Sequence, residues 1–344
     1  MKRKLASIQT ITDIKPIEGA EFIETAKVEG WNVVVKKGEF KVGDRCVYCE
    51  IDSLLPEAPE FEFLRPKRFR IKTVRLRGQI SQGICFPLYF LEGKKYDTDK
   101  RENPTYSFEE GMDVTGLLKV TKYEPPIPAN LSGLVKGNFP GFLVKTDEER
   151  VQNLGNVLLR HKGKIFYVTE KLDGASMSVY QHSEFGVCSR KLDLKETENN
   201  AYWLVARQEK IEEKLKSYGD MISVQGEILG FNIQGNKYKL PLNKFIFRLF
   251  NVFNIKTGSF FNYKDMVLFA KDFGFETVPV ITESFELKHS IDDLLTIADG
   301  NSILYPEGLR EGLVFRTLEE ERDEDLGRLS FKAISNAFLL KYGE

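Results

Sequence analysis

Lys171, Asp173 and Gly174 stand together in the run Val168-Thr-Glu-Lys-Leu-Asp-Gly-Ala-Ser176. A lysine, one spacer and Asp-Gly inside a β-rich stretch can present an amine to a nucleotide α-phosphate. Lys171 is then the nucleophile that carries AMP as a phosphoramidate. The plain alternative is a strand-to-turn junction where Gly174 supplies a positive φ. Four further features follow in chain order. Ser189-Arg190 closes the next strand-like run, where an arginine can hold ribose or phosphate oxygens or simply face solvent. Gln225-Gly-Glu227 ends an apolar strand; Gly226 permits close backbone approach and Glu227 points into a pocket. Glu311-Gly312 repeats the carboxylate-glycine device, and Lys332 ends the last strand.

The chemistry explains the grouping. A nucleophilic lysine must lose its proton near neutral pH, against a free pKa of about 10.4. Desolvation and a nearby cation, a metal ion or Lys332, favour the neutral amine. Displacement at a nucleotide α-phosphorus builds charge that a divalent ion, Mg2+ or Mn2+, offsets. Asp173, Glu227 and Glu311 are the oxygen donors offered for that ion, directly or through water. Lys332 is a point charge for the same phosphate. Singly, each acid reads as a surface carboxylate; their joint order argues for a site.

Such residues need strand ends to hold them. Up to residue 122 the chain reads as short strands between turns, among them Trp31–Lys36, Cys46–Ile51, Arg70–Leu76 and Gly83–Leu88. That spacing predicts a small OB-like β-barrel over 1–122. The Pro- and Gly-rich stretch 123–142 reads as a linker. From 143 to 344 strands alternate with helices. A helix is expected over Thr146–Arg160, capped by Asp147, and a long one over Asn200–Ser217. Helices at Lys264–Phe273 and Ser290–Ala298 accompany strands at Ile165–Thr169, Met177–Gln181, Ile222–Leu229, Phe245–Ile255, Gly312–Arg316 and Leu329–Ala333. The class is α+β.

The 344 residues carry net charge −1, with 42% hydrophobic and 29% charged residues, so no global pull toward polyanions exists. No apolar run reaches membrane-spanning length, no signal peptide is expected, and no membrane partner is implied. Cys46 and Cys49 have metal-like spacing but no second pair, and their alternation reads as strand packing. Without a disulfide framework, a cytoplasmic or other reducing intracellular compartment fits. The oligomeric state stays open, with a monomer as the expectation.

These residues resemble the covalent nucleotidyltransferase superfamily of ATP-dependent ligases and mRNA capping enzymes. Lys171-Leu-Asp-Gly-Ala-Ser matches its motif I, Ser189-Arg190 resembles motif Ia, and Glu227 matches motif III. Glu311-Gly-Leu-Val-Phe matches motif IV, and Phe331-Lys332 resembles motif V. Motif V usually carries two lysines, and here Ile334 or Ser330 stands at the second position. Phe250-Asn-Val-Phe253 resembles the aromatic motif, which implies Phe253, or else Phe250, as the adenine stacker. Ala175-Ser176 is similar to RNA ligases, whereas capping enzymes usually place an arginine there. The chain stops shortly after Lys332, so the C-terminal OB domain of DNA ligases and capping enzymes is expected to be absent. With a barrel before the catalytic half, the organisation is similar to the Deinococcus-type RNA ligases. The resemblance implies an ATP-grasp-like nucleotidyltransferase domain of antiparallel sheets and helices. It also implies ATP as cofactor and sealing of 5′-phosphate and 3′-OH ends of RNA, in nicked duplexes or RNA–DNA hybrids, through lysyl-AMP.

On that reading Thr169, Glu170 and Gly174 flank the nucleophile, with Thr169 and Glu170 at the adenine edge. Val314 covers an adenine face, and Arg190 and Lys332 meet ribose or phosphate. A DNA ligase, a capping guanylyltransferase and a nucleic-acid-binding protein on an inactive ligase fold are the rivals. In the barrel, Arg65 to Arg77 is dense in basic residues. Arg70, Lys72, Arg75 and Arg77 are offered to nucleic acid and Phe69 to a base, or the strand merely balances the acidic Glu57 to Glu62.

Overall fold

The computed structural model describes residues 3–94, 108–124 and 133–343. Part of the expected linker, residues 125–132, lies outside them. The chain divides into two compact units, Met1–Pro125 with Gln152–Gly155 and Leu339–Glu344, and Pro126–Val151 with Asn156–Phe338.

The first unit is a curled antiparallel sheet, an OB-like half-barrel. Its strands β1 (Ala6–Pro16), β2 (Ile23–Val28), β3 (Trp31–Lys36), β4 (Arg45–Cys49) and β5 (Ile84–Pro87) lie in the order β3-β2-β1-β4-β5. β1 serves both halves of the curl. A register shift between Ile11 and Asp13 lets it pair β4 with one half and β2 with the other, the bend that a bulge provides. Ile8, Ile11, Trp31, Tyr48, Phe61 and Leu91 are fully buried inside. All four cysteines are free and buried, as strand packing requires.

Of the expected strand Arg70–Leu76 only Val74–Leu76 forms, paired with Gln79–Ser81 in a hairpin. Arg77 (φ 48°) and Gly78 (φ 83°) make its turn, and two consecutive positive φ values match the twist of a tight hairpin. Arg70 instead makes a single antiparallel bridge to Leu54, and its guanidinium lies over the Tyr123 ring at 3.9 Å and bonds Asp52 at 2.8 Å.

The second unit holds two large sheets and a two-stranded ribbon, Arg322–Asp323 with Gly327–Arg328. In the first, β6 (Val135–Asn138), β9 (Ala175–Gln181), β10 (Phe185–Ser189), β11 (Leu192–Leu194), β12 (Ile222–Gly230), β13 (Phe245–Asn254) and β14 (Ser259–Phe260) run in the order β6-β11-β10-β9-β12-β13-β14. In the second, β7 (Glu149–Arg150), β8 (Ile165–Lys171), β15 (Val280–Glu286), β16 (Gly312–Thr317) and β17 (Ser330–Ile334) run in the order β7-β17-β16-β8-β15.

The first helix, α1, is Gly155–Arg160. Strand alternation gives the first sheet two characters. Met177, Val179, Val224 and Ile228 join a core with Trp203, Ile211, Leu215, Met266 and Phe269 from helices α2 (Ala201–Gln208), α3 (Ile211–Tyr218) and α4 (Tyr263–Asp272). The opposite face carries Ser176, Ser178, Gln225 and Glu227, the side chains left for chemistry.

Two expected helices differ. The long helix over Asn200–Ser217 is α2 and α3, broken at Lys210, whose φ is 51°. An unbroken 3.6-residue period would turn Lys210 and Glu213 inward; the break re-phases the chain so that Ile211 and Leu215 are buried. Thr146–Arg160 is α-helical only at Gly155–Arg160, after a single 3-10 turn at Val151–Asn153. Asp147 caps nothing there, because Glu149–Arg150 pairs with Phe331–Lys332 as a strand.

Candidate active site

The second sheet brings the chemistry together by register. Thr169 lies opposite Val314, which lies opposite Lys332, and Lys171 lies opposite Gly312. Lys171 and Glu311 therefore meet at adjacent strand ends. The Lys171 Nζ donates to both Glu311 oxygens, at 2.7 Å each. Gly312 is obligatory there: a Cβ would come 2.2 Å from the Ala333 carbonyl oxygen.

Gly174 does not have the positive φ considered for it. Its need is space, since a Cβ would lie 2.3 Å from the Ile228 carbonyl oxygen and 2.9 Å from Glu227 Cγ. The loop after Lys171 thus seats directly on β12 and brings Glu227 beside the lysine.

Electrostatics follow from that packing. Burial works to strip the Lys171 proton, but Glu311, Glu227 and Asp173 outweigh it and the amine is held above the ordinary lysine range. The amine is held in its charged form in the free chain, the reverse of the neutral amine expected from desolvation. Burial, with Glu311 and Asp173 nearby, pushes the Glu227 carboxyl up to about 8 despite Lys171. Burial, with Lys171 and Arg150 nearby, brings Lys332 down to about 8 against the pull of Asp147.

Asp173, offered as a metal donor, has a basic partner in the free chain. Its carboxylate pairs with Lys237 at 2.5 Å, and its N–H donates to the Tyr238 hydroxyl at 2.8 Å. Sequence reading missed Lys237 and Tyr238; a basic, aromatic loop just after the Glu227 strand was the available signal. Among the described residues no three His, Cys, Asp or Glu side chains converge as a ready metal cage. The donor chemistry still fits a hard divalent ion. Glu227 and Glu311 both act on the Lys171 charge, and a buried neutral carboxyl beside a carboxylate is a pair that a cation would ionise.

Glu170 is buried, with Oε2 accepting the Ile303 N–H at 2.8 Å and Oε1 left without a hydrogen-bond partner. Burial raises its carboxyl above the usual range. Phe253 is not brought to the lysine. It is buried with Leu143, Tyr180 and Cys188 and packs on Phe260 at 5.0 Å. Phe250 instead joins the cluster of Leu172 and Leu229, with Arg316 5.7 Å from its ring. The register shift between Gln225 and Gly226 leaves Phe250 as the extra residue of β13, outside the regular pairing that holds Phe253 opposite Ser223.

A segment passing over the polar face closes the site. The Val144 carbonyl accepts from Gln225 Nε2 at 2.7 Å, Thr146 and Ser176 hydroxyls meet at 2.8 Å, and Glu148 pairs with buried Arg316 at 2.6 Å. Between them Asp147 takes Arg190 at 2.7 Å and Lys332 at 3.5 Å.

In the first unit, Arg75 and Arg77 are exposed on the hairpin. Arg70 is occupied as described, Lys72 donates to the Gly343 carbonyl at 3.1 Å, and Phe69 is buried under Arg65. Of the five residues offered to RNA, Phe69 is buried and Arg70 part-buried, while the Lys72 bond is exposed.

An OB-fold domain family matches residues 5–88, and an RNA ligase family matches residues 164–334. No match was found among curated proteins. Solved structures of Naegleria gruberi RNA ligase are similar over nearly the whole chain. An aspartate-to-alanine variant without ligand is 41% identical with TM-score 0.85, covering 98% of this chain and 97% of that one. A lysine-to-alanine variant with ATP and Mn has the same identity and TM-score and covers 98% of each chain. The form with PPi is 42% identical with TM-score 0.85, again covering 98% of each. No helix among the described residues is long and apolar enough to cross a membrane.

Proposed function

The chain belongs to the RNA ligase family and is an ATP-dependent RNA ligase; from that premise we propose that Lys171 is the residue adenylylated. The observation that carries this is the Lys171 amine held between both Glu311 oxygens at a strand end, with Glu227 beside it. Its Nζ attacks the α-phosphorus in line. The N–P bond forms as the bond to the bridging oxygen breaks, pyrophosphate leaves, and the amine proton goes to solvent. AMP then passes to an RNA 5′-phosphate, and a 3′-OH attacks that activated end and releases AMP.

Glu170 Oε1, buried and unpartnered, accepts from the adenine amine, and Thr169 lines the same edge. Val314 covers one adenine face and Phe250, rather than Phe253, the other. Asp173 and Lys237 reach the ribose. Arg190 and Lys332 carry phosphate charge. A divalent ion, Mg2+ or Mn2+, held by Glu227 and Glu311 would offset phosphate charge and draw Glu311 from the amine.

The organisation is that of the Deinococcus-type enzymes, with 1–122 gripping RNA, 123–142 as linker and 143–344 as the adenylyltransferase. Nicks in duplexes or RNA–DNA hybrids are the substrate, gripped through Arg75 and Arg77. Incubation with Mn2+ and α-labelled ATP should label the wild type and not Lys171→Ala, while a pre-adenylylated strand should partly restore sealing by the variant. Full labelling of Lys171→Ala would overturn the assignment.

A further inference from the structure

Arg190 and Lys332 reach the site from different sheets, one just after β10 and one on β17. What joins them is a single carboxylate. Asp147 Oδ2 lies 2.7 Å from the Arg190 guanidinium, and Oδ1 lies 3.5 Å from Lys332 Nζ. Two cations converging on one anion is the arrangement that a phosphate group takes up. We infer that Asp147 is an internal placeholder anion, its carboxylate standing where a nucleotide phosphate binds, so that ATP must displace it. The inference rests on the ATP reading of this site.

The surroundings decide what moves. On either side of Asp147 the segment is pinned, at Val144 by Gln225, at Thr146 by Ser176, at Glu148 by buried Arg316, and at Glu149–Arg150 by pairing with β17. The backbone stays, and the exchange is a side-chain rotation. Asp147 and Arg190 are 45% and 50% exposed, so both can turn into water. Lys332 is 17% exposed and lies close to Lys171 and Arg150, which makes an anion beside it favourable in either state. The tethered carboxylate competes with free nucleotide at high effective concentration. The measured ATP affinity is the intrinsic one reduced by the fraction of chains with Asp147 turned away.

The test uses the full-length chain and the α,β-methylene analogue of ATP, which resists displacement of pyrophosphate, with Mn2+ in calorimetry. Asp147→Asn and Asp147→Ala should each bind it about two- to tenfold more tightly, the range expected for removing a partly exposed ion-pair competitor. In an Arg190→Ala background the gain from Asp147→Asn should shrink. Unchanged or weaker binding by both variants would overturn the inference and make Asp147 a support that holds the cations in place. Labelling of Lys171 with ATP is read in parallel. Labelling intact with no affinity gain sinks the placeholder alone, whereas a wild type that neither labels nor binds the analogue sinks both readings.

Discussion

Removing the nucleophile should destabilise the catalytic unit, and the size follows from the pair it belongs to. In Lys171→Met the ammonium between the two Glu311 oxygens is lost, while the side chain keeps its length and apolar stem. Glu311 is 13% exposed and Lys171 26%. Stripping one partner from a fully buried pair costs about 3–5 kcal/mol. Residual water access discounts that to about 1–3 kcal/mol. Glu227, held near 8, is mainly neutral at pH 7 and adds little repulsion. For a domain of this size the loss corresponds to a melting temperature lower by about 3–10 °C. Scanning calorimetry at pH 7 without divalent ions measures it. Adding Glu311→Gln to Lys171→Met should restore most of the loss, because no uncompensated carboxylate remains. Mn2+ should stabilise the single variant by about 2.7 kcal/mol at a hundredfold excess over Kd, and the wild type by less. A melting temperature that stays level or rises in Lys171→Met, with equal Mn2+ effects on both proteins, would refute this account of the pair.

Glu227→Gln should flatten a pH slope. A carboxyl raised to about 8 in the fold stabilises it at low pH, and that contribution is lost as pH climbs from about 4.5 to 8. The wild type should lose stability across that window in urea titrations, and the variant should lose less; sealing should meanwhile fall about a hundredfold. Lys332, brought down to about 8, loses its charge on the alkaline side, so KM for ATP should rise above pH 8. Lys332→Arg should keep KM level there, and a wild-type KM flat to pH 9.5 would contradict the phosphate role. Neutralising Arg75 and Arg77 together should reduce the salt slope of duplex binding by about 2, with folding intact. Arg70→Ala should instead cost the first unit about 1–2 kcal/mol through Asp52 and Tyr123, with an unchanged salt slope; equal slope losses from both changes would restore Arg70 to the RNA surface.

The cluster proposed for the chemistry was legible as a cluster because its residue types and strand-end positions constrain each other. A lysine before Asp-Gly, and acids beside Gly226 and Gly312, are local patterns, and register then joined Lys171 to Glu311 without further information. The OB-like curl was legible from short strands at even spacing. What the sequence could not carry was partner choice over long separations. Lys237 for Asp173, and Asp147 for Arg190 and Lys332, are selected by which loop crosses the site, not by any local period. Phe253 was preferred over Phe250 on motif spacing, while the extra residue that makes Phe250 a bulge, and the separate clusters the two rings join, are set by tertiary pairing. The long helix failed for a related reason: one left-handed residue, Lys210, resets the phase of everything after it.

Those long-range partners share a logic. In the free chain the charged groups offered for catalysis each have an internal counterpart: Lys171 has Glu311, Asp173 has Lys237, and Arg190 and Lys332 have Asp147. A buried charge without a partner is the costly case, so a cleft this rich in charge persists without ligand only if its own side chains neutralise one another. Binding ATP and a divalent ion is then an exchange of partners rather than the filling of a charged void. Exchange makes the net free energy of binding a small difference between two paired states. It also separates the readouts. Weakening a pair that ligand merely displaces, such as Asp147 with Arg190, should lower KM. Weakening the pair that masks the nucleophile raises the neutral amine fraction and removes a proposed metal donor at once, so Glu311→Gln should depress kcat even where ATP binds as well as before.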